Sequence, residues 1–225
     1  MKAIRRHNWD VSVEKAKRIQ GELSHYVIVK DEFTEIKKIS GVGVGFSKNE
    51  DRVLIACVNF SFPHLQILDQ IVERRKSDFP YRPGFFAFSA GPAILSALEK
   101  IEKPDLIIFP GRGVDHPRRL GLASHLGVLL GVPTIACSKR RLWKNHPDLT
   151  GEKGACVFMD DEHGVPTGAV VRAKENVKPI YVTTGHKISI QTAVKIILQC
   201  SGNYRIPEPL RYAHVLAKKG LPAPL

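Results

Sequence analysis

The chain has 225 residues, 43% of them hydrophobic, which is enough to bury a core and excludes a disordered or collagen-like polymer. With 34 Lys and Arg against 22 Asp and Glu the formal charge is +12, the balance expected of a protein that meets polyanions, although a solvated lysine-rich surface has the same composition. The longest apolar stretch, around Leu126 to Cys137, is broken by Gly127, Gly131 and Pro133, and the start MKAIRRHNWD has no apolar signal segment. A soluble, cytoplasmic chain with no membrane partner is expected.

In chain order, Ser12 is a plausible N-cap, and Ala16, Ile19, Leu23 and Val27 recur at helical spacing after it. Val42, Val44 and Phe46 then alternate with Gly41, Gly43 and Gly45. Val53 to Phe60 is a nearly continuous apolar run, and Leu65 to Val72 is a third β-type stretch. Their turns carry Lys48-Asn49-Glu50-Asp51 and Pro63-His64, so the three strands read as an antiparallel meander. The pattern next alternates: helix from Pro92 to Ile101, strand Asp105 to Phe109, helix Leu120 to Leu130, strand Pro133 to Cys137, which predicts parallel βαβ units. Cys156 to Met159 and Ala169 to Arg172 suit a hairpin, Ile180 to Thr183 a strand, Ser189 a helix cap for a helix through Leu198, and Pro207 to Lys219 a last helix. Neither repeats nor a linker divide the chain, so residues 1–225 are expected to form a single domain. The cysteines, Cys57, Cys137, Cys156 and Cys200, lie apart among apolar residues and suit reduced core positions better than zinc or disulfides.

Several stretches carry chemistry. Phe109 to Arg119 (FPGRGVDHPRR) leaves a buried strand and enters a helix, the place where open α/β sheets bind ligands. Its two glycines allow close backbone approach, and His116, Arg118 and Arg119 favour phosphate or base contact over a plain basic turn. Pro80-Tyr81-Arg82-Pro83-Gly84-Phe85-Phe86 is a stiff loop in which the Tyr81 ring either stacks on a base or anchors the core. Ser138 to Lys144 (SKRRLWK) sets cations around an indole, suited to a phosphate backbone or to a solvated turn.

Together with TGHKIS at Thr184 to Ser189 and RIPEPLRYAH at Arg205 to His214, the stretches PYRPG, GRGVDHPRRLGLASHLG and VPTIACSKRRL resemble the endonuclease V family, nucleases of deoxyinosine in DNA or inosine in RNA, over nearly the whole chain. The resemblance implies a ribonuclease-H-like α/β fold with a mixed central sheet, an antiparallel meander followed by parallel strands, flanked by helices. It implies a wedge loop at Tyr81 and a hypoxanthine pocket lined by Gly84, Phe86, Gly111, Gly113 and Leu122. His116 would belong to the nucleotide-contacting loop, Lys139 would approach the scissile phosphate, and His214 would stand near the metal centre. The same comparison marks a departure: where the family carries Asp, Glu and Asp to hold Mg²⁺, this chain has Gly43, Ala90 and Pro110.

These residues predict a monomer that binds DNA or RNA at inosine or a distorted base without cofactor and without cleaving it. The alternative is an active endonuclease of DNA repair with a Mg²⁺ site rebuilt from Asp115, His116, His214 or a carboxylate elsewhere in the chain; a protein scaffold with no nucleic-acid role is the third reading.

Overall fold

The computed structural model describes residues 1, 3–46, 52–161 and 163–219, and the Lys48 to Asp51 turn lies outside them. Strands β1 (Lys38–Phe46), β2 (Arg52–Ser61) and β3 (Ile67–Lys76) form the expected antiparallel meander. Helix α2 (Phe86–Glu99) leads into β4 (Leu106–Pro110), and α3 (Leu122–Leu130) into β5 (Thr134–Ser138); β1, β4 and β5 run parallel. Beyond β5 the sheet turns antiparallel again through β8 (Ile180–His186), β7 (Pro166–Val171) and β6 (Cys156–Asp160). The order of this eight-stranded sheet is β3-β2-β1-β4-β5-β8-β7-β6. Helices α1 (Val13–Ser24), α4 (Ile190–Gln199) and α5 (Glu208–Lys219) complete the chain. No helix among the described residues is long and apolar enough to cross a membrane.

Two boundaries differ from the sequence expectation in a way that matters for the site. The α2 helix starts at Phe86, more than a turn before Pro92, because a proline within the helix is accommodated here rather than marking its start. This carries Phe86, Phe88 and Ala90 into regular helix. The β3 strand is shifted to Ile67–Lys76 and ends in Glu73-Arg74-Arg75-Lys76, charges suited to a sheet edge.

Alternation along β1 decides what each face of the sheet can hold. Val42 and Val44 face α2 and α3, in a core with Ile55, Ile94, Phe109 and Leu126. Gly41, Gly43 and Gly45 face α5. The α4 helix covers the other end of that second face, where Ile190, Val194 and Ile197 pack with Ile108, Ile135 and Val182. Of the cysteines, Cys57, Cys137 and Cys200 are buried as expected and reduced, but Cys156, on the edge strand β6, is only half-buried. Burial pushes the Cys137 and Cys200 thiols up to about 12, which keeps them unreactive.

The segment before α1 is fastened to α2 and α3. Ile4 N donates to Leu129 O at 2.7 Å, and the Trp9 ring fills a notch at Gly91, where a methyl group would stand 2.8 Å from it. Trp9 also stacks on His125, with ring centroids 5.3 Å apart. His7 Nδ1 lies 2.7 Å from Asn8 O, a group that only accepts, so Nδ1 carries the proton and Nε2 is the acceptor. His125 Nε2, 2.7 Å away, therefore donates to it, leaving the buried His125 Nδ1 without a partner among the described residues. Burial, with a smaller push from His7 on His125, holds both imidazoles neutral below the ordinary value of 6.5. Groups whose folded-state pKa is depressed contribute stability above their unfolded pKa and lose it as pH falls below. We therefore expect the melting temperature to fall as pH drops from 7 toward 5, and a His125→Phe variant to show a shallower fall in the same thermal scans.

Candidate nucleic-acid interface

A cavity of about 730 Å³ opens beyond the carboxyl ends of β4 and β5, the usual ligand position in an open α/β sheet. One wall is the Tyr81 to Gly84 loop with Phe86 and Ala87 of α2, and another is Gly111-Arg112, His116 and Leu120 to Leu122. The third is Ser138 to Leu142, and the floor is β1 beneath Arg211 and His214 of α5.

The Tyr81 loop is held rigidly from below. Phe79 is buried, Ser77 Oγ donates to the carbonyls of Phe79 and Ser89, Ser89 Oγ donates to Pro80 O, and Phe85 N closes the turn on Arg82 O at 3.0 Å. Tyr81 itself is 56% exposed, with its centroid 5.2 Å from Phe46 and 6.2 Å from Phe86. Of the two sequence readings of this ring, core anchoring is excluded by that exposure, and an exposed aromatic group on a stiff turn is suited to stacking. Phe46 extends the same aromatic ledge; sequence reasoning gave it no role, because a strand-end Phe looks like any core residue. Pro80 and Arg82 are exposed on the same loop but outside the cavity lining.

The opposite wall is organised by polar groups. Gly111, at φ +100°, bends the chain away from β4, and its N–H donates to Cys137 O at 3.2 Å. Gly113 N donates to Asp115 Oδ1 and Thr183 Oγ1, both at 2.9 Å, and β8 passes so close that no Cβ fits there. Gly113 is thus a packing glycine rather than a lining residue. Asp115 Oδ2 pairs with Arg112 at 2.7 Å, so both its oxygens serve the loop; burial raises its pKa against the pull of Arg112. It does not line the cavity. His116 Nδ1 accepts from Arg118 N at 3.2 Å, which leaves Nε2 as the donor to Gly84 O at 3.1 Å. Burial, and then the nearby Arg118 and Arg112, bring the His116 pKa down to about 4, so the ring is neutral. Arg118, expected at a phosphate, instead donates to Gly84 O and to Gln20 Oε1 and lies over the Phe85 ring.

The remaining wall is cationic. Lys139, Arg140 and Arg141 follow β5, and no ion pair of theirs occurs among the described residues. Arg211 is paired with Glu208 and stacks on Tyr204 at 4.1 Å. His214 is held below its ordinary value by burial and by Lys218 and Lys139. Trp143 packs its ring against Gly168 and sits 6.1 Å from Tyr181, anchoring the basic loop to the sheet instead of facing the cavity.

Gly43, Ala90 and Pro110, where the resemblance implies acidic ligands, are each absorbed by the fold. At Gly43 a Cβ would overlap the carbonyl oxygen of Ala213 and stand 2.7 Å from His214 N, so α5 backbone fills the space of any side chain. Ala90 is fully buried in the α2 core with Val42, Phe109 and Leu122. Pro110 closes β4 opposite Cys137. Among the described residues no Asp or Glu lines the cavity, and no cluster of three His, Cys, Asp or Glu side chains can hold a metal ion. A hard divalent cation needs oxygen ligands, and a described lining with several cations and no carboxylate, whose Gln20 and Ser138 oxygens already accept hydrogen bonds within the protein, does not fit one.

The mixed sheet, the helices on both its faces and the cavity at the parallel strand ends define a ribonuclease-H-like α/β protein. Residues 21–215 match the sequence profile of the endonuclease V family, and the chain belongs to that family. Endonuclease V of Trichormus variabilis is 45% identical over 219 residues, covering 96% of this chain and 99% of its own, and that of Dictyoglomus thermophilum is 43% identical over 211 residues, covering 92% and 90%. The crystal structure of endonuclease V from Streptomyces avermitilis superposes with a TM-score of 0.88 at 32% identity, over 97% of both chains. The Ciona intestinalis endonuclease V, solved in complex with a 24mer DNA containing an inosine followed by a ribo-adenosine, superposes with a TM-score of 0.80 at 28% identity, over 92% of this chain and 96% of its own.

The close fit of α5 on β1 gives a direct test. Gly43→Ala should cost about 1–3 kcal/mol in urea unfolding, the usual penalty of overpacking. Gly21→Ala, at an α1 position with nothing within 4 Å of the new methyl group, should instead stabilise by about 0.5–1 kcal/mol.

Proposed function

We propose that this chain is a non-cleaving member of the endonuclease V family that binds DNA or RNA at inosine or a distorted base, taking the base into the cavity and the neighbouring phosphates onto the basic loop. The observation that carries the reading is a cavity of about 730 Å³ with a cationic rim and, among the described residues, no acidic side chain, at which the Gly43 position is filled by α5 backbone. The inosine-containing DNA in the Ciona intestinalis complex supports the ligand class.

Binding and hydrolysis ask for different groups. Phosphate binding needs cations, which Lys139, Arg140 and Arg141 supply, and removing carboxylates from the place where a phosphate sits removes repulsion. Hydrolysis in this family needs a divalent ion to activate water and neutralise charge on the phosphate, and the residues present do not hold one. Tyr81, exposed on its stapled loop, fills the gap left by an extruded base, and base extrusion costs least at a mismatched or damaged position. Neutral His214 beside Lys139 sits in a positive field that a bound phosphate would offset.

Titrating an inosine-containing oligonucleotide by fluorescence anisotropy, with and without chelator, tests the reading. Affinity should be the same in both, should exceed that for the unmodified strand, and should fall steeply with salt. Lys139→Ala should reduce the slope of log K against log salt by about 0.7–0.9, the contribution of one phosphate contact. Tyr81→Ala should weaken binding by about 1–3 kcal/mol, the worth of one stacked base. Strand cleavage with Mg²⁺ or Mn²⁺, abolished by chelator, would overturn the proposal in favour of an active nuclease.

A further inference from the structure

Three arms of hydrogen bonding converge on one buried side chain outside the matched family span. Gln20 is 1% exposed and lies on α1, just before the matched span begins at residue 21. Its amide nitrogen donates to Gly84 O at 3.0 Å and to Leu120 O at 3.3 Å. Its amide oxygen accepts from Arg118 Nε at 2.7 Å. Gly84 belongs to the Tyr81 loop and Leu120 to the entry of α3, so one amide bridges two facing walls of the cavity, and Gln20 itself is part of the lining.

The neighbouring groups make this bridge hard to replace. Gly84 has φ +82°, an orientation fixed by donors to its carbonyl: Gln20, Arg118 Nη2 at 2.8 Å and His116 Nε2 at 3.1 Å. Arg118 reaches that carbonyl with its guanidinium over Phe85, at 4.7 Å from the ring centroid, and its other anchor is the Gln20 oxygen. Leu120 O has Gln20 as its partner, and the following residue, Gly121, donates to Gly113 O at 2.9 Å. Every other buried α1 residue, Ala16, Ile19 and Leu23, is apolar and packs against Phe85, Phe88 and Leu120. A polar residue on that stripe has a specific task.

We infer that Gln20 is a positioning residue that sets the width of the base cavity, and through it the discrimination between hypoxanthine and the larger guanine, by tying the Tyr81 loop to the α3 entry. The inference rests on the base-binding reading above. Hypoxanthine and guanine share their ring system and differ by the exocyclic 2-amino group, so walls that cannot part to admit that group reject guanine. Walls held by hydrogen bonds to two carbonyls keep their spacing, and walls held by packing alone yield by the fraction of an ångström that such a choice requires.

The test uses the full chain and two variants. Gln20→Met keeps the volume of a buried helical residue and removes both halves of the bridge. Gln20→Glu keeps the acceptor for Arg118 but presents no donor to Gly84 O and Leu120 O. Dissociation constants are measured for oligonucleotides that differ only by inosine or guanosine at one position. The ratio of the two constants should fall by about five- to tenfold in both variants. The salt slope of binding, which reads the phosphate contacts of the basic loop, should keep its wild-type value for both oligonucleotides. A wild-type ratio in Gln20→Glu would overturn the role of the carbonyl bridge, and a wild-type ratio in both variants would overturn the inference. If the parent protein shows no preference for inosine, the base-binding reading fails by itself, and amide hydrogen exchange then decides about the bridge. Exchange should quicken by about tenfold at Phe85 to Ala87 and Gly121 to Ala123 in Gln20→Met, with α4 unaffected. Unchanged exchange there would overturn the bridge independently of any ligand.

Discussion

The rest of the structure depends on the seating of α5 on the glycines of β1. Residues four apart on a helix advance about 6 Å, and residues two apart on a strand about 6.6 Å, so Pro209, Ala213 and Ala217 can follow Gly41, Gly43 and Gly45 along one line. At Gly41 and Gly43 the helix backbone occupies the volume of the missing side chains, and at Gly45 the approach relaxes to 3.2 Å. The opposite faces of the same residues' neighbours, Val42 and Val44, meet α2 and α3. One strand thereby joins an aliphatic core on one side to a backbone-on-backbone contact on the other. His214 and Arg211 reach the cavity floor because α5 sits this close.

The cavity's electrostatics follow from how its few carboxylates nearby are used. Asp115 is bound to Arg112 and to the Gly113 amide, and Glu208 to Arg211, so each acid neutralises a cation of its own loop or helix and neither faces the cavity. Lys139, Arg140 and Arg141 supply the field that remains. Within it His116 and His214 are kept neutral, by burial first and by neighbouring cations second. Among the described residues the cavity lining carries these cations and no carboxylate, the charge balance on which the proposed phosphate binding rests. Gly43, Ala90 and Pro110 each fit their surroundings: a slot without room, an apolar helix core and a strand end.

Mechanical support for the cavity comes from outside the sheet. The segment preceding α1, with its His7–His125 and Trp9–Gly91 contacts, fastens the outer layer to α2 and α3, whose first residues line the cavity. The α1 helix then reaches across with Gln20. Most of the loop's hydrogen bonding is to carbonyls, at Phe79, Pro80, Gly84, Ser89 and Leu120, so geometry is set by backbone and is insensitive to which side chains line the surface.

The amino-acid sequence by itself determined the order of the elements, because hydrophobic period and capping residues are local: Ser12 and Ser189 cap α1 and α4 as expected, and the meander and the βαβ units follow in the expected order, with β3 and the start of α2 displaced. It also placed Gly43, Ala90 and Pro110 where the family resemblance implies acidic ligands, since residue identities need no coordinates. Tertiary structure alone decided what those residues mean. That a helix carbonyl fills the Gly43 slot, that Arg118 serves Gly84, that Trp143 rests on Gly168, and that Gln20 bridges two walls are contacts between residues from 25 to 170 positions apart. No local pattern encodes such pairings, although a lone glutamine on the apolar stripe of α1 was a visible sign. Close packing fixes them, because each requires two surfaces to meet at a spacing that only the assembled sheet and helices define.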